Sequence, residues 1–236
     1  MSHDMTGSFE ERLAAIRDRV TAACARAGRS PDDVLLLPVT KGVDPDSVSV
    51  AARCGLGVFG ESKVQEARHK IGMCPGHLSW HMIGHLQSNK VREAVHLFSM
   101  VHSIDSLDLL RQVAAASDNA GKTMPVCLEV NVSGEGSKYG LAVADVEGVV
   151  AAGNDLGRIE VRGLMTIPPV AEDPGASRPY FRKLRELRDR LRASTGVDLN
   201  DLSMGMSNDF EIAIEEGATV VRVGTILFGK REVRKP

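Results

Sequence analysis

Short apolar runs alternate with helical patterns along almost the whole chain. The first helical pattern follows Ser8, with Glu11 three residues further on as in a capping box, and its apolar positions recur at helical spacing as far as Gly28. Eight apolar runs then occupy residues 34–39, 58–59, 78–83, 100–104, 125–132, 160–167, 202–206 and 219–223. Helical patterns separate these runs at residues 45–54, 63–71, 88–94, 106–116, 143–153, 179–194 and 209–216. This alternation predicts parallel βαβ units.

Eight strands within about 190 residues favour a closed barrel over an open sheet. We predict an α/β fold: a single (β/α)8 TIM-type barrel with an extra N-terminal helix, forming one domain over residues 1–236 because no long Pro/Gly/Ser linker divides them. No helix of useful length is expected after the last run, and the N-terminal helix is expected to cover part of that side. The polar, proline-rich stretch 168–178 indicates a mobile loop after the sixth strand.

The composition is that of a globular protein. Of 236 residues, 43% are hydrophobic and 25% are charged, which excludes a disordered or collagen-like chain. The 29 basic and 31 acidic residues nearly balance, so nothing indicates nucleic acid or an anionic membrane as a partner. The N-terminus lacks the apolar core of a secretory signal, and no window reaches the ~18 apolar residues of a membrane span. Four scattered cysteines fit a reducing compartment, so we expect a cytoplasmic protein.

Lys41 follows the first buried run of the predicted barrel. In barrels of this type the active site lies at the carboxyl ends of the strands. A partly dry pocket there would favour the neutral, nucleophilic form of the amine, which suits a Schiff base with a carbonyl compound. The alternative is a solvated lysine at a strand end, and position alone favours that alternative.

Two anion-friendly features follow the seventh and eighth strands. Ser207 or Asn208 is placed to cap a short helix, and Glu211 completes a capping-box pattern with Asn208. Gly224 would let the backbone approach a ligand closely, and Thr225 adds a hydroxyl. TIM barrels often bind phosphate in these two loops, so the pattern is typical of a phosphate site. Ordinary capping and a turn glycine explain the same residues equally well.

Arg222 is expected to point into the barrel if the flanking valines, Val221 and Val223, pack outward against helices. A buried arginine needs a partner, either a ligand or a structural salt bridge. The histidines at 81, 85 and 102 follow no zinc spacing, so we predict no metal site. The arginine-rich stretch 182–192 also carries acidic residues, which favours a solvated helix face over a nucleic-acid surface.

Taken in order, these motifs resemble one known family. The matching segments are LLPVTK (36–41), FGESKVQEA (59–67), WHMIGHLQSNK (80–90), VHSIDS (101–106), EVNVSGEGSKYG (129–140), VRGLMTI (161–167), LSMGMSNDFEIAIEEGAT (202–219) and VRVGTILFG (221–229). The chain resembles the pyridoxal phosphate homeostasis proteins of the YggS/PROSC type. Each segment alone is modest evidence, but the ordered set spans nearly the whole chain and is highly specific.

The resemblance implies a fold-type III barrel, similar to the N-terminal domain of alanine racemase, with pyridoxal 5′-phosphate (PLP) as cofactor. It implies that Lys41 forms the Schiff base with PLP and that Arg222 faces the pyridine nitrogen. The residues that it implies for cofactor binding are Lys41, Asn131, Met206, Ser207, Arg222, Gly224 and Thr225, of which Ser207, Gly224 and Thr225 match phosphate-binding positions. No catalytic or metal-binding residue is implied.

The chain departs from the family pattern in two places. Ser62 and Lys63 stand where the family usually has an asparagine followed by an aromatic residue. After Lys41 the family usually has another polar or basic residue and then proline, whereas this chain has Gly42 and Val43. We therefore assign no cofactor contact to Ser62 or Gly42.

The implied function is storage and delivery of PLP inside the cell, with little or no turnover of amino acids. An arginine does not give up its proton, so Arg222 would keep the pyridine nitrogen unprotonated and limit carbanion chemistry. Racemases of this fold type add a tyrosine base from a second domain. Here only Tyr139 is expected near the site, and a loop tyrosine on the surface is the commoner case.

Two alternatives remain: a weak PLP-dependent racemase-like enzyme, and an aldolase-type barrel in which Lys41 condenses with a substrate carbonyl. The expected partners are PLP and PLP-dependent apo-enzymes as recipients. The absence of an apolar stripe on the predicted exterior favours a monomer.

Overall fold

The computed structural model describes residues 7–136 and 138–229. The strands are β1 Leu35–Pro38, β2 Val58–Glu61, β3 Ser79–Met82, β4 Met100–Ile104, β5 Met124–Glu129, β6 Ile159–Met165, β7 Asp201–Ser203 and β8 Val220–Val223. The helices are α1 Phe9–Arg26, α2 Pro45–Arg53, α3 Val64–Ile71, α4 Val91–Leu97, α5 Leu107–Ala120, α6 Val146–Asp155, α7 Arg178–Thr195, α8 Phe210–Glu215 and α9 Thr225–Phe228. Short 3-10 turns lie at Pro31–Asp33, Ser88–Lys90, Val143–Asp145 and Pro174–Ser177.

All eight strands are parallel and form one sheet in the order β1-β8-β7-β6-β5-β4-β3-β2. The two ends of this sheet approach each other, because Val39 and Gly60 form an isolated bridge and the Thr40 N–H donates to the Gly60 carbonyl at 3.0 Å. The sheet is therefore a nearly closed barrel surrounded by helices. This confirms the predicted α/β TIM-type fold.

Helix α1 is the predicted extra N-terminal helix. The Ser8 hydroxyl accepts the Glu11 N–H at 3.2 Å, and the Glu11 carboxylate accepts the Ser8 N–H at 2.7 Å, which completes the expected capping box. Such a cap stabilises a helix by about 1 kcal/mol. The helix lies against α8 and α9, with the Phe9 and Phe228 ring centroids 5.6 Å apart. It therefore covers the side that the four-residue α9 leaves open.

The strands divide their side chains between two cores. One face packs outward against the helices, where Phe59, Trp80 and Val221 belong to the main hydrophobic cluster. The side chains of the other face point into the barrel and form smaller apolar clusters, one of which includes Leu37 and Ile83. This division follows from the period of two along a strand, which sends alternate side chains to opposite faces.

Strands β5 and β7 each end three residues earlier than predicted. Strand β5 stops at Glu129, although the apolar pattern continues to residue 132, because Val130 pairs with Leu141 of the following loop instead. Strand β7 stops at Ser203 because Gly205 adopts φ +90°, a left-handed conformation that ends the extended backbone. The expected helix at 88–94 begins as a 3-10 turn and becomes helical only at α4.

The arginine-rich stretch forms most of α7, and arginines of this helix form ion pairs with Glu216, which directly follows α8. Arg178, Arg182 and Arg185 each approach the buried Glu216 carboxylate, with N–O distances of 3.1, 3.1 and 3.0 Å. The opposite face of α7 packs into the main core. None of the helices in the described part of the chain combines the length and apolar character that crossing a bilayer requires. The four cysteines are all free thiols.

Candidate functional site

A cavity of about 680 Å³ opens at the carboxyl ends of the strands. Its walls come from the loops after β6, β7 and β8, with Val39, Ser62 and Ile83 on the opposite side. Five of the seven predicted site residues line it together: Met206, Ser207, Arg222, Gly224 and Thr225. The structure therefore brings most of the candidate site into one space, in the place where barrels of this type carry their chemistry.

Arg222 forms the floor of the cavity. Its neighbours Val221 and Val223 are buried in the main core, so Arg222 points into the barrel as the alternation predicts. Nη1 donates to the Ser203 hydroxyl at 2.7 Å, and Nη2 donates to the Thr166 carbonyl at 2.9 Å. Neither partner is a carboxylate, so these contacts hold the guanidinium in place without neutralising it.

Burial lowers the pKa of Arg222 to about 10, while the charges of Glu129 and Asp209 act in the opposite direction. That value lies well above neutrality, so the group is a cation under ordinary conditions. The cavity therefore has a fixed positive charge and hydrogen-bond donors at its inner end.

Two histidines extend the hydrogen-bond chain below Arg222. Ser203 lies between them and the arginine: its Oγ is 2.8 Å from His102 Nδ1, and His102 Nε2 is 3.0 Å from His81 Nδ1. Because Ser203 already accepts from Arg222, its own hydroxyl hydrogen is available for His102 Nδ1. We expect the hydrogen bonds then to run in one direction, with His102 Nε2 donating to His81 Nδ1.

His81 and His102, the two histidines of this hydrogen-bond series, are neutral near pH 7. Burial, assisted by the charge of Arg162, lowers the pKa of His81 to about 4. Burial also places the pKa of His102 well below its ordinary value, with smaller contributions from His81 and Arg222. The third histidine, His85, lies apart at the rim, where Nδ1 is 2.9 Å from Asp105 Oδ2. Among the described residues, no group of three or more His, Cys, Asp or Glu side chains is placed to hold a metal ion.

The outer end of the cavity presents free backbone donors. The N–H groups of Ser207, Asn208, Thr225 and Ile226 have no acceptor within the described parts of the chain. They belong to the turns that lead into α8 and α9, whose first N–H groups point away from the helix body. Together with the Ser207 and Thr225 hydroxyls, they form an anion-friendly rim opposite Arg222.

The predicted capping box at this rim is wrong. Helix α8 begins at Phe210, so Asp209 rather than Asn208 occupies the cap position. Asp209 accepts the Met206 N–H at 2.7 Å and the Ser177 hydroxyl at 2.8 Å, which holds the turn. Glu211 instead pairs in bidentate fashion with Arg19 of α1, at 2.8 and 2.9 Å. The capping rule counts only sequence spacing, whereas α1 offers Glu211 a cation from outside the local segment.

Lys41 lies beside the cavity rather than in its lining. Strand β1 ends at Pro38, Val39 lines the cavity, and Lys41 follows in a turn where it is exposed. This exposure agrees with the solvated lysine that position alone favours, and not with a partly dry pocket around the amine. The amine is accessible from solvent, two residues after Val39 of the cavity lining.

Asn131 does not line the cavity. Its side-chain oxygen accepts from the Ser133 hydroxyl at 2.9 Å and from the Gly134 N–H at 3.0 Å, and its amide nitrogen donates to the Glu135 carbonyl at 2.8 Å. These bonds shape the loop after β5. Tyr139, further along that loop, is 61% exposed and stacks on His85 with ring centroids 4.0 Å apart.

Sequence reasoning missed the residues that support the site. Ser203, Ser177 and Asp209 were not assigned a role there, although they hold Arg222 and the turn before α8. For Ser203 a signal existed: it lies on β7, beside β8, on the face that points into the barrel. Ser177 and Asp209 offered no signal, because residue numbers 32 apart do not reveal a contact across two loops.

Comparison with known proteins agrees with this arrangement. A model of the alanine racemase N-terminal domain matches residues 12–232. The chain is 44% identical over 223 residues to the pyridoxal phosphate homeostasis protein of Aquifex aeolicus, covering 94% of this chain and 98% of that protein. It is 41% identical over 230 residues to the protein of the same name from Pseudomonas aeruginosa, covering 97% and 98%. The solved structure of PipY from Synechococcus elongatus is 34% identical and covers 94% of this chain and 100% of that chain, with TM-scores of 0.86 without PLP and 0.84 with PLP bound.

Proposed function

This chain belongs to the alanine racemase N-terminal domain family, and we propose on that basis that it binds PLP through Lys41 and serves in PLP homeostasis by storing and delivering the cofactor. The relatives from Aquifex aeolicus and Pseudomonas aeruginosa are named pyridoxal phosphate homeostasis proteins, and PipY has been solved with PLP bound. The observation that carries the proposal for this chain is the cavity itself. A buried cation, Arg222, and unpaired backbone donors line it, and the exposed Lys41 follows two residues after Val39 of the same lining.

The size and polarity of the cavity fit PLP. Small-molecule sites usually measure about 300–1,000 Å³ and are mostly apolar, with a few polar groups that fix orientation. The cavity of about 680 Å³ has apolar side chains, Val39, Ile83 and Ile226, between its two polar ends. An aromatic ring with one phosphate needs this combination of apolar walls, an anion site and a donor at the opposite edge.

We assign the phosphate to the outer rim. The Ser207, Asn208, Thr225 and Ile226 N–H groups lack protein acceptors among residues 7–136 and 138–229, and a phosphate would accept from them. Gly224 lines the cavity between these donors and Arg222, which leaves room for the ligand.

We assign the ring nitrogen to Arg222. The guanidinium is held by Ser203 and Thr166, it only donates hydrogen bonds, and its pKa of about 10 keeps it protonated. A ring nitrogen that accepts from this group has no proton of its own. The residue therefore holds the cofactor in the form that is least able to stabilise carbanions, which suits storage better than turnover.

Lys41 is the proposed attachment point. The bound aldehyde would supply a carbon that the lysine nitrogen attacks, forming a C=N bond while the aldehyde oxygen leaves as water. The amine is exposed to solvent and is therefore accessible for this step. A cofactor contact by Asn131 stays a prediction. We give Asn131 no direct part in this proposal, because its side-chain hydrogen bonds hold the loop after β5.

Little or no amino-acid turnover is proposed because the cavity offers no second base. Asp209 is the only carboxylate in the described lining, and both its oxygens accept hydrogen bonds already. Tyr139 stacks on His85 outside the lining, and Tyr180 lies on α7. General-base catalysis needs a group within hydrogen-bond reach of the proton that it removes.

The test begins with the absorption spectrum of the purified protein, followed by borohydride reduction and peptide mapping. We expect reduced cofactor on the peptide that contains Lys41, and its loss in Lys41→Ala. Lys63→Ala, another exposed lysine near the cavity, is the matched control and is expected to retain the label. A colourless protein that does not bind added PLP would overturn the proposal.

The same preparation separates the two alternatives. Borohydride trapping of a sugar phosphate or another carbonyl substrate instead of PLP would favour the aldolase-type barrel. Measurable turnover across a panel of amino acids would favour the racemase-like enzyme.

We further propose that the protein is a cytoplasmic monomer that passes PLP to apo-enzymes. The four free thiols support a reducing compartment. Light scattering of the eluted protein tests the monomer, with a dimer mass as the contrary result. Activation of a PLP-dependent apo-enzyme, measured faster with loaded protein than with equal free PLP, tests direct delivery.

A further inference from the structure

A buried ion cluster lies directly behind the turn that carries Lys41. Its centre is Lys70 of α3, whose side chain is only 4% exposed. The Lys70 ammonium donates to the Glu61 carboxylate, to the Thr40 carbonyl and, at 3.0 Å, to Glu66 Oε1. Three N–H groups therefore meet three acceptors, and the charged amine is fully satisfied.

The cluster contacts the backbone on both sides of Lys41. The Thr40 carbonyl, which precedes it, accepts from Lys70. The Gly42 N–H, which follows it, donates to Glu66 Oε1 at 2.5 Å. The same Glu66 oxygen thus receives both Gly42 and Lys70, which links the two contacts through a single atom.

The turn that contains Lys41 is also held by a hydrogen bond of its own. The Val43 N–H donates to the Thr40 carbonyl at 2.9 Å, which closes a four-residue turn with Lys41 at its second position. Gly42 has φ +69°, as a type II turn requires at its third position. The backbone before and after Lys41 is therefore fixed, while its side chain is free.

We propose that Lys70 and Glu66 are positioning residues that hold the Lys41 turn so that the amine faces the cavity mouth. The inference rests on the proposed function, because it assumes that Lys41 is the attachment point. Burying a charged lysine costs desolvation energy that an apolar side chain would avoid, so stability alone does not explain Lys70. Attachment rates depend steeply on the placement of the reacting group, which explains why a fixed turn is useful.

The charge state of Glu66 agrees with this role. Burial opposes ionisation of the carboxyl, but the hydrogen bonds from Gly42 and Lys70 outweigh it and leave the pKa of Glu66 below its ordinary value. The acceptor is thus ionised at neutral pH and able to hold both donors.

The sharpest experiment compares two variants of Glu66 in apo-protein. Glu66→Gln keeps an oxygen that can accept from both donors, whereas Glu66→Ala removes it. We expect Glu66→Ala to slow covalent attachment of added PLP about tenfold, and Glu66→Gln to stay within about twofold of the wild type. The rate is followed by absorbance, and the site is checked by borohydride reduction and mapping.

A second readout needs no cofactor. Hydrogen exchange of the Gly42 amide in apo-protein is expected to be at least tenfold faster in Glu66→Ala than in wild type or Glu66→Gln, because the Gly42 N–H loses its acceptor. Equal attachment rates in the wild type and both variants would overturn the positioning role. If wild-type protein attaches no PLP at Lys41, both the proposed function and this inference fail.

Lys70 is tested in a form that avoids a lone buried carboxylate. The double variant Lys70→Met with Glu61→Gln removes both charges of the buried pair, and it is expected to slow attachment as Glu66→Ala does. Lys122→Met is the matched control: Lys122 also donates to two carbonyls, Val95 at 2.8 Å and Phe98 at 2.5 Å, but at the opposite end of the barrel. Equal slowing by the control would show a general loss of folding stability and overturn the role of Lys70.

Discussion

Ser203 Oγ lies 2.7 Å from Nη1 of Arg222 and joins the floor of the cavity to the histidines below it. Ser203→Ala would remove an acceptor from Arg222 and a donor from His102, both of which are buried. We expect a loss of about 1–3 kcal/mol in the free energy of unfolding and about tenfold weaker PLP binding. Denaturant unfolding and cofactor titration measure the two effects.

The matched control for that variant is Ser99→Ala. Ser99 also lies in a hydroxyl pair, partly buried and 2.6 Å from Ser79 Oγ, but it precedes β4 at the opposite end of the barrel. It is expected to affect stability without affecting PLP binding. Unchanged PLP affinity in Ser203→Ala would show that Ser203 does not orient Arg222 for the ligand.

The direction of the hydrogen-bond chain predicts both histidine tautomers. If the Ser203 hydroxyl donates to His102 Nδ1, His102 carries its proton on Nε2 and donates to His81 Nδ1. His81 then carries its proton on Nε2 as well. Long-range ¹⁵N–¹H NMR of labelled protein reads both states directly. His85 is the internal contrast, because its Nδ1 faces the Asp105 carboxylate and is expected to carry a proton; a proton on His102 Nδ1 would reverse the proposed direction.

His81 predicts a loss of stability on the acid side. Its folded-state pKa of about 4 lies below the ordinary 6.5, so the unfolded chain takes up a proton between these values and the folded chain does not. The contribution of His81 to the free energy of unfolding is therefore fully present above about pH 6.5. It falls by roughly 3 kcal/mol as the pH drops towards 4, at 1.36 kcal/mol per pKa unit. Urea unfolding of His81→Gln should show a shallower fall.

The control for His81 is His77→Gln, which replaces an exposed histidine. If wild type and His81→Gln lose stability in parallel between pH 6.5 and 4, His81 is not the residue responsible for the acid-side loss.

The raised pKa of Glu129 predicts the opposite slope over an overlapping pH range. Burial, with help from the charge of Asp105 and against that of Arg222, raises the pKa of Glu129 to about 7. The folded chain holds a proton between about pH 4.5 and 7 that the unfolded chain releases, so this contribution to stability is lost as the pH rises through that range. Glu129→Gln should therefore be more stable than wild type at pH 8, by up to roughly 3 kcal/mol, and equal to it near pH 4.5. A difference that is constant across pH would contradict the assignment.

The sequence by itself determined the architecture of this protein. The run 34–39 is apolar at every position, which indicates a strand buried on both faces, and the helical patterns between the eight runs leave few alternatives to a parallel barrel. The inward direction of Arg222 also follows from local pattern, because side chains alternate along a strand. These features are encoded by periodicity within a few residues.

The tertiary structure decided which side chains meet. Lys70 reaches the Thr40 carbonyl across 30 residues, and His102 reaches Ser203 across 101. Such contacts depend on how far each strand is shifted against the next and on how the helices lie over the barrel, and no local pattern records either quantity. The same reason explains the error at Glu211, which pairs with Arg19 of a distant helix instead of closing a local capping box. Periodicity specifies the faces of each element, while the partners across those faces exist only once the barrel has closed.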